Sequence, residues 1–352
     1  MLRSPDPDFG RLRTALLCRG KPDRVPICEL HVDREVTEAF LGRPIRTAAD
    51  EVAFWYQAGY DFVPLSAGLL EVGGVLSGEA TQRARHQYTV YGDGSREVTW
   101  AAEGEGVLGS WEAFERFPWP EPEAIGLSHL EAVAAELPAG MQLIVIIGKV
   151  FTATWMLMGM EGFGRAAAFE PDLLRAVFER VAAVQFRTFE RALELPRVGC
   201  LWMSDDLAYQ TGLLCSPRLL REHLFPVYRR MGAICRERDV PFALHSDGTL
   251  WPVMADLLEC DFRALHPIEP LAMDIREVKR EVGDRLCLLG NIEVDRLARG
   301  TPAEIRELVR CNIEDLAGDG GYCVGSSNSV TYYVPLSNYL AMLEAAAEFG
   351  GR

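Results

Sequence analysis

One pattern dominates this sequence: short apolar runs alternate with longer amphipathic stretches. Eight such runs, rich in β-branched residues, occur at 24–30, 61–66, 142–149, 198–204, 241–245, 262–266, 285–290 and 322–325. Runs that are apolar throughout, rather than at every second residue, suit strands covered on both faces. Parallel neighbours need a crossover between them, and an amphipathic helix supplies one. Eight such units in 352 residues predict an α/β protein, a TIM (β/α)8 barrel forming a single domain over 1–352.

The helices carry boundary signals. Thr301-Pro302-Ala303-Glu304 supplies an N-cap, a proline in the first turn and a capping-box glutamate. Ser216-Pro217 opens another helix in the same way. Over 171–193, Leu174, Val177, Phe178, Val181 and Val184 fall on one face, as expected for a helix packed on a sheet. Two regions depart from the repeat. Residues 85–100 alternate around Gly92-Asp93-Gly94 and predict a β-hairpin inserted after the second strand. Residues 110–138, rich in Trp, Pro and Glu, predict a covering loop and an extra helix.

Composition excludes several classes. The 36 Lys+Arg against 51 Asp+Glu leave a net charge of −15, which opposes binding to nucleic acid or to an anionic membrane. The apolar stretch 141–160 is interrupted by Gly148 and Lys149 and predicts a buried strand, not a span. The polar start with two prolines has no signal-peptide pattern. Nine cysteines without a CxxC fit core thiols of a cytoplasmic protein. No GxxxxGK[ST] or GxGxxG loop follows a strand, and no GxSxG elbow exists.

In a barrel of this kind the chemistry gathers at the carboxyl ends of the strands. Here those ends carry Glu29 and His31, then Ser66, Lys149, Ser204-Asp205-Asp206, and His245-Ser246-Asp247-Gly248. His266 with Glu269, Asn291 with Glu293, and Ser326-Ser327-Asn328-Ser329 follow. His245 and Asp247, two apart where a strand ends, can form an acid/base pair or two ligands of a metal. The competing reading has Asp247 cap the helix near Leu250 and His245 sit in the core; Gly248 permits a tight turn in both. Asp205 and Asp206 are candidates for holding a metal or polarising a substrate, with capping as the alternative. Gly290-Asn291 suggests a close backbone approach beside a neutral hydrogen-bonding side chain.

At these strand ends the sequence resembles the uroporphyrinogen decarboxylase superfamily, which also holds corrinoid-dependent methyltransferases. The resemblance runs over nearly the whole chain. It is carried by 12–16 with Lys21-Pro22-Asp23-Arg24-Val25-Pro26, by Leu289-Gly290-Asn291-Ile292, and by Gly320-Gly321-Tyr322 with Pro335-Leu336-Ser337-Asn338. Departures accompany the matches. Where the family's decarboxylases have an arginine-rich segment after the first strand, this chain reads Cys28-Glu29-Leu30-His31-Val32-Asp33-Arg34. Pro64-Leu65-Ser66-Ala67 stands near the place of their essential aspartate. The methyltransferases' zinc-binding His-x-Cys is here His245-x-Asp247, and Asn328 stands where a later Cys would fall.

The resemblance implies a methyltransferase-like enzyme moving a methyl group between a small substrate and a corrinoid (cobalamin), carried on a partner corrinoid protein. Catalytic roles would fall to His245, Asp247, Asp206 and Glu29. Substrate binding would fall to His31, Asp205, Glu269, Asn291 and Asn328, and a zinc site to His245 and Asp247. A homodimer is the family habit. The alternatives are a decarboxylase (lyase) for a small carboxylate or a tetrapyrrole, and a non-catalytic corrinoid- or tetrapyrrole-binding protein.

Overall fold

The structure, a computed structural model, describes residues 4–68, 84–89, 95–100 and 106–351. In chain order the strands are β1 (Phe62–Ala67), β2 (Ala84–Thr89), β3 (Ser95–Trp100), β4 (Gln142–Gly148), β5 (Val198–Ser204) and β6 (Ala208–Tyr209). β7 (Gly212–Leu213), β8 (Phe242–His245), β9 (Ala264–His266), β10 (Cys287–Leu289) and β11 (Tyr322–Cys323) follow. Seven of them form one sheet in the order β1-β4-β5-β8-β9-β10-β11, and every pairing in it is parallel. Within this sheet each strand pairs with the next of its members in chain order, so every connection steps the same way around a curled, barrel-like sheet. β4 shows why these runs become strands: six of its seven residues are buried, which only a sheet covered on both faces provides.

Helices cover the sheet between strands. The longest, Pro171–Leu193, buries Leu174, Val177, Phe178, Val181 and Val184, the face expected from its spacing. Helix Pro302–Leu316 begins with both reciprocal bonds of the Thr301/Glu304 capping box. Ser216 caps its helix by accepting from Leu219 N. The 110–138 region holds two α-helices, Trp111–Arg116 and Ser128–Glu136, and a 3-10 turn, Pro122–Ala124. Residues 141–160 form β4 and helix Phe151–Met158; among the described residues no helix is long and apolar enough to cross a membrane. β2 and β3 pair antiparallel. The Gly92-Asp93-Gly94 segment between them lies outside the described residues.

One expected strand is not a regular one. Over 24–30 the contact with β11's edge is a single parallel bridge, Ile27 to Val324. Its two hydrogen bonds run from Cys28 N to Val324 O and from Val324 N to Pro26 O. Pro26 has no N–H to extend the ladder. At the other end Gly290, with φ 118°, holds backbone against backbone: a Cβ there would stand 2.8 Å from Pro267 O and 3.0 Å from Ser326 O. That is the close approach Gly290-Asn291 suggested.

Candidate active site

Parallel register brings the polar strand ends together. Gly148 pairs with Ser204, Ser204 with His245, and His245 with His266. The residues just past those positions surround a cavity of about 910 Å³. Lys149, Asp206, Gln210, His245, Asp247, Glu269 and Asn328 are the charged or amide groups on its wall. Leu30, Trp155, Met156, Tyr209 and Leu214 give it an apolar side.

Asp206, His245 and Asp247 form the centre. Each offers one ligand atom, and those atoms lie within 4.8 Å of one another. His245 Nε2 is 3.6 Å from Asp206 Oδ1. The same carboxylate oxygen accepts from Asp247 N at 3.1 Å, which fixes the two strand ends to each other. Asp247 Oδ2 accepts from Asn328 Nδ2 at 2.8 Å. Its Oδ1 is buried and has no hydrogen-bond partner among the described residues. Asp247 does not cap a helix, because no side chain caps the turn that begins after Leu250.

The far side of His245 is equally constrained. Its Nδ1 lies 2.8 Å from Nδ1 of His266, and both rings are buried. Two nitrogens at that distance share one proton, so at least one of the two faces the other with a lone pair. Burial lowers the pKa of His245, while Asp206 works to raise it. Burial lowers that of His266 still further. If the shared proton resides on His245 Nδ1, its Nε2 presents a lone pair to the cavity.

Gly248 completes the turn with φ 82°. A Cβ on it would come within 2.5 Å of the Ala208 carbonyl carbon and of Tyr209 O, so the β6–β7 ribbon can press directly on the turn. Thr249 N donates to Tyr209 O at 3.0 Å, and Glu269 ties the same corner by accepting from Gly248 N and Gln210 Nε2.

Four sequence candidates are not in this cavity. Glu29 is fully buried on the other side of its segment, and its carboxyl accepts from Ser326 N and Ser326 Oγ at 2.7 and 2.6 Å. Burial pushes it up to about 8 against those two bonds. His31 is exposed and meets Asp33 at 3.1 Å, outside the cavity. Asp205, fully buried, accepts from the backbone N–H groups of Val150, Phe151 and Thr152 and from Tyr228 Oη. It fastens the turn after β4 to the end of β5, and burial raises its pKa while those donors pull it back. Adjacent residues in extended chain face opposite ways, so Asp205 points into the protein and Asp206 into the cavity. Asn291 is held in the core: it donates to Ile268 O and accepts from Asn312 Nδ2.

Two members escaped the sequence candidates, His266 and Lys149. Both were visible as strand ends, but their pairing with the centre needed the register. Cys323, the thiol nearest the family's late cysteine position, is fully buried in β11, 4.0 Å from Cys287 Sγ. No cysteine joins the metal-ligand cluster among the described residues.

Asp247 gives the site a pH dependence. Burial, then the nearby Asp206 and Glu269, raise its pKa from 3.8 to about 7. A carboxyl raised on folding binds its proton more tightly in the native state. Its contribution to stability is therefore full below pH 3.8 and is lost as pH rises through about 7. In metal-free protein, the stability of wild type minus that of Asp247→Asn should fall across this window in denaturant melts. A flat difference would show that Asp247 titrates as it does in water.

A family model described as Uroporphyrinogen decarboxylase (URO-D) matches residues 106–349. A uroporphyrinogen decarboxylase of Pseudoalteromonas translucida (strain TAC 125) is 26% identical in an alignment 237 residues long that covers 64% of this chain and 64% of that protein. Among solved structures, a methyltransferase from Methanosarcina mazei aligns with a TM-score of 0.69 at 19% identity. That alignment covers 96% of this chain and 98% of the other.

Proposed function

Because this chain belongs to the uroporphyrinogen decarboxylase family, we propose that it is an enzyme moving a methyl group between a small substrate and a corrinoid, working at Asp206, His245 and Asp247. The observation that carries the reading is the ligand-like cluster with one buried, unpartnered carboxylate oxygen, Asp247 Oδ1. An unpartnered buried oxygen needs a proton or a cation. One imidazole nitrogen and two carboxylate oxygens suit a divalent ion such as zinc with an open position, in a harder donor set than one containing thiolates. Asp206, His245 and Asp247 would hold that ion. A corrinoid delivered by a partner protein would present its cobalt at the open side of the cavity, leaving the apolar wall to the small substrate. When bound, such an ion would supply polarisation of the heteroatom that gains or loses the methyl group, and the corrinoid would supply the cobalt that carries it.

The chain's own contribution is proton handling and position. The methyl group leaves without its bonding electron pair, which stays on the group it departs. A thiol acceptor must release a proton as its sulfur forms the new bond. An ether donor must take one up as its oxygen departs. Without the ion, Asp247, raised to about 7, can hold or return that proton at Oδ1; with the ion bound Asp247 is a ligand and the proton passes to solvent. Asn328 on Oδ2 keeps the carboxyl turned, and His266 keeps the His245 ring turned. The same reading takes 24–30 as the strand that closes the barrel against β1 and 85–100 as an inserted hairpin.

The cavity does not suit a polycarboxylate. Asp206, Asp247 and Glu269 line it against a single lysine, and like charges in a partly dry site repel strongly. The reading is tested by anaerobic incubation of the protein with methylcobalamin and a panel of thiols, and with cob(I)alamin and a panel of methoxylated compounds, with and without zinc. Loss of the methylcobalamin spectrum in the first case, or its appearance in the second, is the expected result. An unchanged spectrum with every compound, in both metal states, contradicts it.

A further inference from the structure

We propose that the cavity selects a small monoanion with an apolar body, its single oxyacid group paired with Lys149 and its other end at Asp206, His245 and Asp247. The inference rests on the methyl-transfer reading for what happens at the reacting end, but the ion pair itself does not.

Lys149 directly follows Gly148, the last residue of β4. Gly148 pairs with Ser204 and Ser204 with His245, so Lys149 stands near the level of the cluster, two strands away. At about 4.8 Å between strands, that is a span of about 10 Å, the length of a compact substrate. Lys149 is half-buried in the cavity wall and the only lysine or arginine lining it among the described residues. Its ammonium makes no hydrogen bond or ion pair among the described residues.

None of the three cavity carboxylates forms an ion pair with Lys149 among the described residues, although Asp247 Oδ1 has no hydrogen-bond partner there. Asp247 is bonded by Asn328, Glu269 by Gly248 and Gln210, and Asp206 by the backbone of Asp247. Asp247 acts on Lys149 only through space, and a half-buried ammonium without a direct partner has lost solvation that this does not fully return. An anion entering the cavity returns it. A second negative group on the same molecule would face the carboxylates instead, and this limits the charge to one. The apolar body follows from Leu30, Trp155, Met156 and Leu214 on the same wall.

The test is calorimetric binding to the whole protein without cobalamin. Two matched sets serve as probes: 4-methoxybenzoate and 4-methoxybenzenesulfonate against 4-methoxybenzyl alcohol, and methoxyacetate against 2-methoxyethanol. An anion of at least one set should bind about ten- to hundredfold more tightly than its alcohol, the range of a charge-assisted hydrogen bond. The benzoate and the sulfonate separate a planar from a tetrahedral head. Lys149→Met should remove the anion preference and leave alcohol binding unchanged, and Lys149→Arg should keep most of it. Equal binding of anions and alcohols, no binding by any anion, or a preference that survives Lys149→Met overturns the proposal. An anion preference, together with an unchanged cobalamin spectrum for every compound in the separate methyl-transfer assay, would instead sink the methyl-transfer reading and leave the Lys149 pair standing.

Discussion

His245→Ala is expected to lower methyl transfer about 10³-fold while leaving the protein folded. General acid–base or ligand roles of one well-placed imidazole are worth about 10² to 10⁴ in rate. His245 is the only nitrogen donor of the three-residue cluster, with its Nε2 3.6 Å from Asp206 and its Nδ1 held by His266. The substitution removes that donor and leaves Asp206 and Asp247 facing each other without a cation between them. Zinc retention after dialysis, measured by elemental analysis, should fall with it. A second variant, His266→Phe, separates ligation from orientation: His245 remains but loses its partner, and a smaller loss of about 10- to 100-fold is expected. Full activity in His245→Ala would remove the cluster from the chemistry.

The largest expected effect on stability lies one residue from the cavity. Asp205→Ala should destabilise the protein by about 3 to 5 kcal/mol, the range for uncompensating a buried charged network. It strands the N–H groups of Val150, Phe151 and Thr152 and the hydroxyl of Tyr228. Each stranded donor costs about 1 to 3 kcal/mol, and water entering the vacated space recovers part of the sum. Asp205→Asn keeps one acceptor oxygen and should lose less. The loss is read as a lower denaturation midpoint with an unchanged slope. Lys149 and Thr152 belong to the turn that Asp205 anchors, so activity should fall as well, through geometry. A midpoint within experimental error of wild type would mean that those donors find other acceptors.

The contrast between Asp205 and Asp206 marks how far the sequence alone could be read. The strand runs, the helix caps and the strand ends that carry chemistry are local patterns, and the fold follows from them. β4 and β5 lie where their apolar runs predicted, and Thr301 and Glu304 make both bonds of their box. What adjacent residues do at a strand end is not local. Asp205 and Asp206 are chemically identical in sequence. Only the turn after β4, which brings three N–H groups to one of them, tells the anchor from the cavity group. Glu29 was a candidate because it follows an apolar run, yet the segment's one bridge to Val324 leaves its carboxyl with Ser326. Asn291 likewise sits at a strand end but is spent on Ile268 and Asn312. The histidine pair was hidden for the converse reason: His245 and His266 are 21 residues apart and meet only through the parallel register of β8 and β9.

The pair that first marked the site, His245 and Asp247, also changes meaning. As a motif it stands where the resemblance places the methyltransferases' His-x-Cys, with Asp247 in the place of the thiol. In the structure it is two-thirds of a nitrogen-and-oxygen cluster whose third member is Asp206. The most direct test of the account follows a ¹³C-labelled methyl group by NMR, from methylcobalamin to a small acceptor, with wild-type protein and His245→Ala side by side. The account predicts that the label appears on the acceptor's sulfur or oxygen with wild type and stays on cobalamin with the variant. Label that stays on cobalamin with wild type for every acceptor, or that moves equally well with His245→Ala, would contradict it.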